Sequence, residues 1–562
     1  MKTKINWKEW GKEAFEIAKK ENKPILLDLT AVWCHWCHVM DLTTYSDDDI
    51  AKIVNNDFIP IKVFIDKRPD IRERYNMGGF PSTVFLNPEG SILTGVTYVP
   101  PERFKPMLET VTSAYKNGKE EIKQRILDAT EKTNKKKGII SEINDDIFKE
   151  VLLSAGDNFD GLYGGFGTQP KFPSPEVIDL LFIQYQETKS KKYLDMALKT
   201  LNGMYEGIYD NVDFGFFRYS VTQDWKLPHY EKMLDTNAGL LRNYVTAYNT
   251  TKQERYKKIA EETICYISKF LSDQKNGGFY GSQDADEGFY QMNSEERKNK
   301  KQPYVDKTIY IDWNAAMASS YIKAGAILNN DEAIKFAIKT ADFILEKCYN
   351  KENGLSHFFD GKPRINGLLS DNIFFLNCLI DTYYITQNKK YLEKIKEIAE
   401  FILINFYDKN NYGFFDRVVK DGDFGRLKQR DKQFLENSFS AMIFLRLYFL
   451  AKDDKYKQVA ENTLLYFADS YLNFGYFAAM YAVAVDMLLN KEIKVDIVDK
   501  RGMIKICIGT NNPRVVINYI DRKKKNISGY ETEGAYICRG TTCKGPITEN
   551  NKLEEELQFS KD

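Results

Sequence analysis

The chain carries no surplus of charge of either sign: 80 basic side chains stand against 80 acidic ones in 562 residues. A polyanion is recognised by a basic face, so nucleic acid is not expected as a partner. The opening residues, MKTKINWKEWGKEAF, lack the apolar stretch that marks an export signal. No run reaches the ~20 apolar residues that a membrane-spanning helix needs, so no membrane partner is expected. Cysteine is sparse, with eight in the whole chain, too few for a disulfide scaffold. These absences predict a cytoplasmic protein that uses its thiols selectively. What the chain does have is length and aromatics. Single cores stop growing near ~250–300 residues, so several domains are expected. The 35 tyrosines and 36 phenylalanines suit a large helical core or an aromatic-lined cleft.

Three compositional blocks follow one another. In residues 1–125, ILLDL (25–29) and FIPIKVFI (58–65) read as strands, with a helical segment after Cys37. Ser46 with Asp49 resembles an acidic capping box that opens a helix through Val54. STVFL (82–86) and SILTGVTY (91–98) flank an Asn-Pro-Glu-Gly turn, and a helix from about Glu102 to Tyr115 closes the block. The order β-α-β-α-β-β-α is that of a thioredoxin-like domain. A charged linker is expected at 126–145. From 146 to 490 the apolar residues recur at three- and four-residue steps: Leu194, Ala197, Leu201, Met204 and Ile208; Ile338, Ala341, Leu345 and Cys348; Tyr391, Ile395, Ile398 and Ile402. A Gly-aromatic signal punctuates them as YGGFG, FGFF, NGGFY, NGLSHF, YGFF and FGYF. Six copies of one helical hairpin predict an (α/α)6 toroid with those loops at one end, an open solenoid being the alternative. Residues 491–562 read as a small α/β appendage. Strands are expected at 493–499 and 503–510, a helix around 513–520, and a short acidic helix at the end.

The densest chemistry is WCHWCHVM at 33–40. Neighbouring residues on a helix diverge by about 100°, so Cys34, His35, Cys37 and His38 do not converge on one ion, and no metal or other cofactor is expected. A Cys-x-x-Cys pair opening a helix places Cys34 where free N–H groups and the helix dipole favour thiolate, with Cys37 as the resolving thiol. Asp28 lies in the preceding strand, where a buried acid would exchange protons with Cys37. Trp33 precedes the pair, and Pro81 stands just before a strand, where thioredoxins hold a cis-proline. His35, between the cysteines, would stabilise thiolate when protonated, which makes the pair more oxidising. Cys538 and Cys543 have a different spacing and read as a second dithiol or as two ordinary thiols. Cys265, Cys348, Cys378 and Cys507 fall in apolar patterns and are expected in the core.

The toroid segment has its own cluster of polar and aromatic residues. Arg218, Asp224, Trp225, His229 and Glu231 lie close together in sequence, and Asp284, Asp286 and His357 follow. Aromatic rings that stack on sugars, beside carboxylates and histidines able to move protons, suggest a carbohydrate-like ligand. Glycoside hydrolysis needs two opposed carboxylates, which Asp224, Glu231, Asp284 and Asp286 could supply. Epimerisation needs two bases, for which His229 and His357 are available. For any single acid among them, helix capping is the competing role.

The motifs CHWCHVM, IPIKV, RPDI, GGF, GGFGTQPKFPSP, DFGFFRYS, DWKLPHYEKML, NAGLL, GGFYGSQDAD and AYICRGTTCKGP occur in this order. In this the chain resembles the thioredoxin domain-containing family of the spermatogenesis-associated type, nearly end to end. The resemblance implies a thioredoxin-like domain fused to a six-hairpin glycosidase-like toroid related to N-acylglucosamine epimerases. The stretch DLTAVWCHWC departs from that family toward thioredoxin itself, because Asp28 stands where the family has a small residue. The expected function is thiol–disulfide exchange with a substrate disulfide or a reductase partner, the toroid holding a carbohydrate-like or peptide ligand. A carbohydrate-active toroid and a non-catalytic redox sensor are the alternatives.

Overall fold

The structure, a computed structural model, describes residues 4–117, 142–523 and 529–558. Of the linker expected at 126–145, residues 126–141 lie outside the described residues. The chain separates into two units: Met1–Ile139 with Arg417–Asp431, and Ile140–Asp416 with Lys432–Asp562.

In the first unit, β1 (Ile25–Thr30), β2 (Ile59–Phe64), β3 (Ser82–Leu86) and β4 (Ile92–Val96) form a sheet in the order β2-β1-β3-β4. The β1–β2 pair is parallel, whereas β1–β3 and β3–β4 are antiparallel. Every residue of β1 is buried, as a central strand covered on both faces requires. Helices α1 (Lys12–Glu21), α2 (His35–Leu42), α3 (Asp48–Asp57), α4 (Pro69–Tyr75) and α5 (Pro101–Asn117) accompany the sheet. Leu26, Met40, Val54, Phe85, Phe104 and Leu108 meet in one core. This is the expected thioredoxin-like fold, with α1 added at its start. Asp47, rather than Ser46, caps α3 by accepting the Ile50 N–H at 2.9 Å. Ser46 is unavailable because its hydroxyl donates to the Asp41 carbonyl at 2.6 Å within a 3-10 turn. A downstream segment completes this unit. Arg74 donates to the carbonyls of Arg426 and Gln429 at 3.1 and 2.8 Å, the Tyr75 hydroxyl accepts the Arg426 N–H at 2.8 Å, and Phe15 stacks on Phe424.

The second unit is a ring of helical hairpins. Its inner helices are Pro175–Thr188, Leu234–Thr251, Ile311–Leu328, Leu369–Thr386, Phe434–Ala451 and Ala479–Leu489. Each packs on the next, and the last packs on the first, so the ring is closed. Outer helices Asp146–Asp157, Lys191–Ile208, Glu254–Phe270, Asp331–Lys347, Lys389–Asn405 and Asp454–Phe467 alternate with them. Outer helices keep one polar face, whereas inner helices are covered from several sides and become apolar nearly all round. Contrary to the sequence reading, Phe434–Ala451 and Tyr471–Leu489 are therefore long and apolar enough to cross a bilayer by length and composition, yet both belong to the ring. On the outer helix Asp331–Lys347 the buried stripe runs through Ala337, Ala341 and Ile344, one position off the expected Ile338 and Leu345.

Each Gly-aromatic loop joins the end of an outer helix to the start of an inner one, so these loops gather at one end of the ring. A short bridge closes them, Tyr209 against Phe216, Ser272 against Phe279 and Tyr407 against Phe414 being examples. Gly215 shows why glycine is needed: φ is +76°, and a Cβ would sit 2.4 Å from the Tyr266 ring. FGYF departs from the others and lies in a 3-10 segment, Tyr471–Ala478.

After the ring come β5 (Ile493–Val498), a helix Met503–Gly509, β6 (Val515–Ile520), β7 (Gly534–Arg539), β8 (Thr542–Ile547) and a helix Asn550–Gln558. The expected strand at 503–510 is a helix, and the expected helix at 513–520 is a strand. The cause is topological: β5 and β6 are parallel, so the segment joining them must cross over. Met503, Ile504 and Cys507 then form its buried face. The order β6-β5-β7-β8, with β5–β7 and β7–β8 antiparallel, repeats the order and polarity of the N-terminal sheet. This segment packs at the ring end opposite the Gly-aromatic loops, where Asn249 donates to the Gly509 carbonyl and Gln387 accepts the Tyr519 N–H.

Candidate functional site

Cys34 is the N-cap of α2, and its sulfur accepts the Cys37 N–H at 3.2 Å. The two cysteines are joined as a disulfide with their Cα atoms 5.2 Å apart. Both sulfur-bearing side chains are buried, yet the intervening Trp36 is 44% exposed and packs against Tyr98 at 5.0 Å. The exposed indole thus stands beside a sheltered disulfide. His35 is exposed, with its ring edge-on to Trp36, and His38 is half-buried. The other expected residues cluster around the strand. Trp33 is buried and donates its indole N–H to Asp66 at 2.6 Å, which fixes the approach to the pair. The Phe80–Pro81 peptide is cis, and Ser82, the next residue, pairs with Leu29 of β1.

Asp28 is 1% exposed. Its Oδ2 lies 3.3 Å from Lys62 Nζ, its register partner on β2, and among the described residues its Oδ1 has no hydrogen-bond partner. Burial pushes its carboxyl up to about 6, against the opposing pull of Lys62. Lys62 also donates to Asp41 at 2.5 Å. Sequence reading missed Lys62, Asp41 and Asp66. A lysine inside the apolar run FIPIKVFI was the available signal for the first of these.

The toroid candidates separate into two kinds. Trp225 is fully buried, donates to the Gly164 carbonyl at 3.2 Å and fills the space beside Gly203 and Gly207. It offers no face to a ligand and is a packing residue. Asp224 accepts from the Thr222 hydroxyl and the Lys226 N–H and so holds a turn. Asp286 caps a short helix by accepting the Phe289 N–H at 2.9 Å, and Asp284, half-buried, accepts the Ala285 N–H. Cys265, expected in the core, is exposed, whereas Cys348, Cys378 and Cys507 are buried. Cys538 and Cys543 face each other across β7 and β8 as a disulfide.

The remaining candidates form histidine–carboxylate pairs. His229 stacks on Tyr219 at 4.4 Å, and Phe172 covers the same tyrosine at 4.4 Å. The guanidinium of Arg218 lies 5.6 Å from that ring. His229 Nδ1 lies 3.5 Å from Glu231 Oε1. Glu231 is 2% exposed, and its Oε2 has no hydrogen-bond partner among the described residues. His357 Nδ1 lies 2.9 Å from Asp371 Oδ1, both groups being buried. With Asp312 they form a group whose ligand atoms lie within 4.8 Å of one another, a cation-compatible donor set that sequence reading did not assemble.

Several polar residues of the Gly-aromatic loops are braces. Lys171, Lys232 and Lys432 pair with Asp160, Asp210 and Asp408 at 2.5, 2.7 and 2.9 Å, and each also donates to a carbonyl of its own loop. Asn237, Asn314 and Asn437, each the fourth residue of its inner helix, accept from and donate to the backbone of Phe216, Phe279 and Phe414. Asn372 accepts the Leu355 N–H in the same way. The recurrence NAGLL, NAAMA, NIFFL and NSFSA was the sequence signal for this lock.

Residues 1–134 match the family described as Thioredox_DsbH, Protein of unknown function, DUF255. Over 585 residues the chain is 26% identical to uncharacterized protein B0495.5 of Caenorhabditis elegans, covering 82% of this chain and 80% of that one. To human spermatogenesis-associated protein 20 it is 26% identical over 584 residues, covering 79% and 73%. A crystal structure of D-mannose isomerase matches with a TM-score of 0.50 at 13% identity, covering 63% of this chain and 99% of that one, a likeness of fold alone. The chain is thus similar over most of its length to spermatogenesis-associated protein 20, with a thioredoxin-like domain followed by an (α/α)6 ring that resembles D-mannose isomerase in fold.

Proposed function

We propose that the protein is a thiol–disulfide oxidoreductase working through Cys34 and Cys37, with a protein disulfide as substrate and a reductant dithiol as partner. The observation that carries this reading is a Cys-x-x-Cys disulfide capping a helix after a fully buried strand, beside the exposed Trp36. In the reduced state Cys34 thiolate attacks a substrate sulfur; that S–S bond breaks and one substrate thiolate leaves. Cys37 then gives up its proton, with Asp28 as the buried base, and attacks the Cys34 sulfur. The second substrate thiolate leaves, and the Cys34–Cys37 disulfide remains. A base near 6 is well matched to that transfer at neutral pH. The chemistry fits a reducing, cytoplasmic compartment, with the toroid binding a carbohydrate-like or peptide ligand and neither nucleic acid nor membrane as partner.

Insulin reduction in the presence of dithiothreitol tests the reading. The intact protein is expected to accelerate precipitation, Cys34→Ser to return it to the uncatalysed rate, and Cys37→Ser to accumulate a mixed disulfide. Acceleration that survives Cys34→Ser rejects the proposal.

A second reading, a carbohydrate-active toroid, is favoured by the His229–Glu231 pair, in which a buried carboxylate orients a stacked imidazole. Exchange of the C2 proton of mannose into D2O is its measurement. Exchange lost in His229→Ala and kept in Cys34→Ser supports this reading; no exchange by the intact protein removes it.

A further inference from the structure

All six inner helices contribute to an axial cavity of about 560 Å³, whose far end is lined by Cys507, Ile508 and Pro513 of the C-terminal segment. Its wall holds two ion pairs, Arg242 to Asp179 and Arg446 to Asp381, each at 2.7 Å. Lys323 also faces the cavity, and its only hydrogen bond among the described residues goes to Asn511 Oδ1 at 3.1 Å. An ammonium only donates, so this contact fixes the Asn511 amide with Oδ1 toward Lys323. Asn511 Nδ2 is then a buried donor without a partner among the described residues. The half-buried Lys323 ammonium, which has donors to spare beyond its bond to Asn511, and the unsatisfied Asn511 Nδ2 thus lie side by side in a partly open cavity. An acceptor oxygen on a bound molecule would satisfy both groups at once.

The cavity's charge narrows the ligand. Arg242, Lys323 and Arg446 share the wall with Glu176, Asp179, Asp381 and Glu436, so there is no surplus positive charge to hold an anion. Ion pairs present donors and acceptors together, which suits hydroxyl groups. The stacked rings of Phe374 and Phe439, 4.4 Å apart, supply an apolar face.

We propose that this cavity is a covalent binding site for a small neutral hydroxy-carbonyl compound, a hydroxyaldehyde or open-chain sugar, captured by Lys323 as a Schiff base. The Lys323 nitrogen lone pair forms the C–N bond as the carbonyl π bond opens, and the resulting oxygen accepts from Asn511 Nδ2. Loss of water gives the C=N bond, and hydrolysis reverses it; no oxidant or reductant enters. Burial, aided by the Arg242 guanidinium and opposed by Asp179 and Asp381, pushes the Lys323 amine down to about 8. At pH 8 such an amine is about half unprotonated, against ~0.3% for an ordinary lysine near 10.5. The site needs neither the thiol pair nor His229, so its failure leaves both earlier readings untouched.

The test is reductive trapping in the full chain with D-glyceraldehyde and sodium cyanoborohydride at pH 8, read by peptide mapping. Adduct at Lys323 is expected to exceed that at the exposed Lys298 and Lys335 by at least about 10-fold, given the difference in free amine. Asn511→Leu is expected to cut trapping at Lys323 several-fold while leaving the exposed lysines unchanged. Lys323→Arg, checked by its melting curve to have folded, serves as the blank for the map. Trapping at Lys323 no greater than at the exposed lysines overturns the proposal. So does Lys323 trapping by propionaldehyde that equals trapping by glyceraldehyde, since the hydroxyls would then contribute nothing.

Discussion

Asn437→Ala is expected to destabilise the ring by about 2–4 kcal/mol, a substantial fraction of the ~5–15 kcal/mol that holds a domain folded. Asn437 is fully buried; its Oδ1 accepts the Phe414 N–H at 2.6 Å and its Nδ2 donates to the Phe414 carbonyl at 2.9 Å. Truncation leaves both backbone groups buried without partners, and each orphan costs about 1–3 kcal/mol. The loop cannot turn outward to find water, because Phe414 is itself buried and its ring stacks on Phe444 at 5.2 Å. Asn437→Asp separates hydrogen bonding from volume: it keeps the shape but turns the donor into an acceptor facing a carbonyl. Both variants should lose midpoint in urea, and hydrogen exchange at the Phe414 amide should speed up. Asn410→Ala, on the exposed tip of the same loop, should stay within about 0.5 kcal/mol of the parent. A midpoint for Asn437→Ala equal to that of Asn410→Ala would show that the loops stand without the lock.

The lock also shows what the sequence exposed and what it hid. The Gly-aromatic repeats were legible because they answer a local demand, a left-handed turn at Gly215 pressed against Tyr266. The closed ring followed from their number. The thioredoxin-like site was legible for a related reason: Asp28, Trp33, Cys34 and Cys37 lie within a single β-turn-α segment, so spacing alone places them. Lys62 and Asp66 come from other segments, and only the parallel register of β1 with β2 brings Lys62 opposite Asp28. In the toroid, composition misled. Trp225 resembled a sugar platform because tryptophan serves there, yet it is the residue that fills the gap left by Gly203 and Gly207. The exchanged helix and strand in the C-terminal segment have a nonlocal cause, since MIKICIG fits either period and only the parallel β5–β6 pairing decides.

Asp28→Asn is expected to stabilise the first unit at neutral pH and to leave it unchanged in acid. In the folded chain the Asp28 carboxyl is pushed up to about 6 from an ordinary 3.8, chiefly by burial. A group whose folded value is raised contributes stability fully below its unfolded value, and that contribution is lost as pH climbs through the folded one. The parent should therefore weaken between about pH 4 and pH 7, and above that window its ionised carboxylate sits at 1% exposure beside Lys62. The gap between 3.8 and about 6 corresponds to roughly 3 kcal/mol at full ionisation. The asparagine chain has no such titration, and Lys62 retains Asp41 at 2.5 Å, so no lone buried cation is created. Melting curves of the two proteins should coincide near pH 4 and separate progressively to pH 8, with the variant the more stable. The same substitution removes the base proposed for Cys37, so insulin reduction at pH 7 should slow while Cys34 remains reactive toward iodoacetamide. Opposite signs in stability and rate from one carboxylate are what a functional buried acid predicts; parallel melting curves across the whole range would reduce Asp28 to a packing residue.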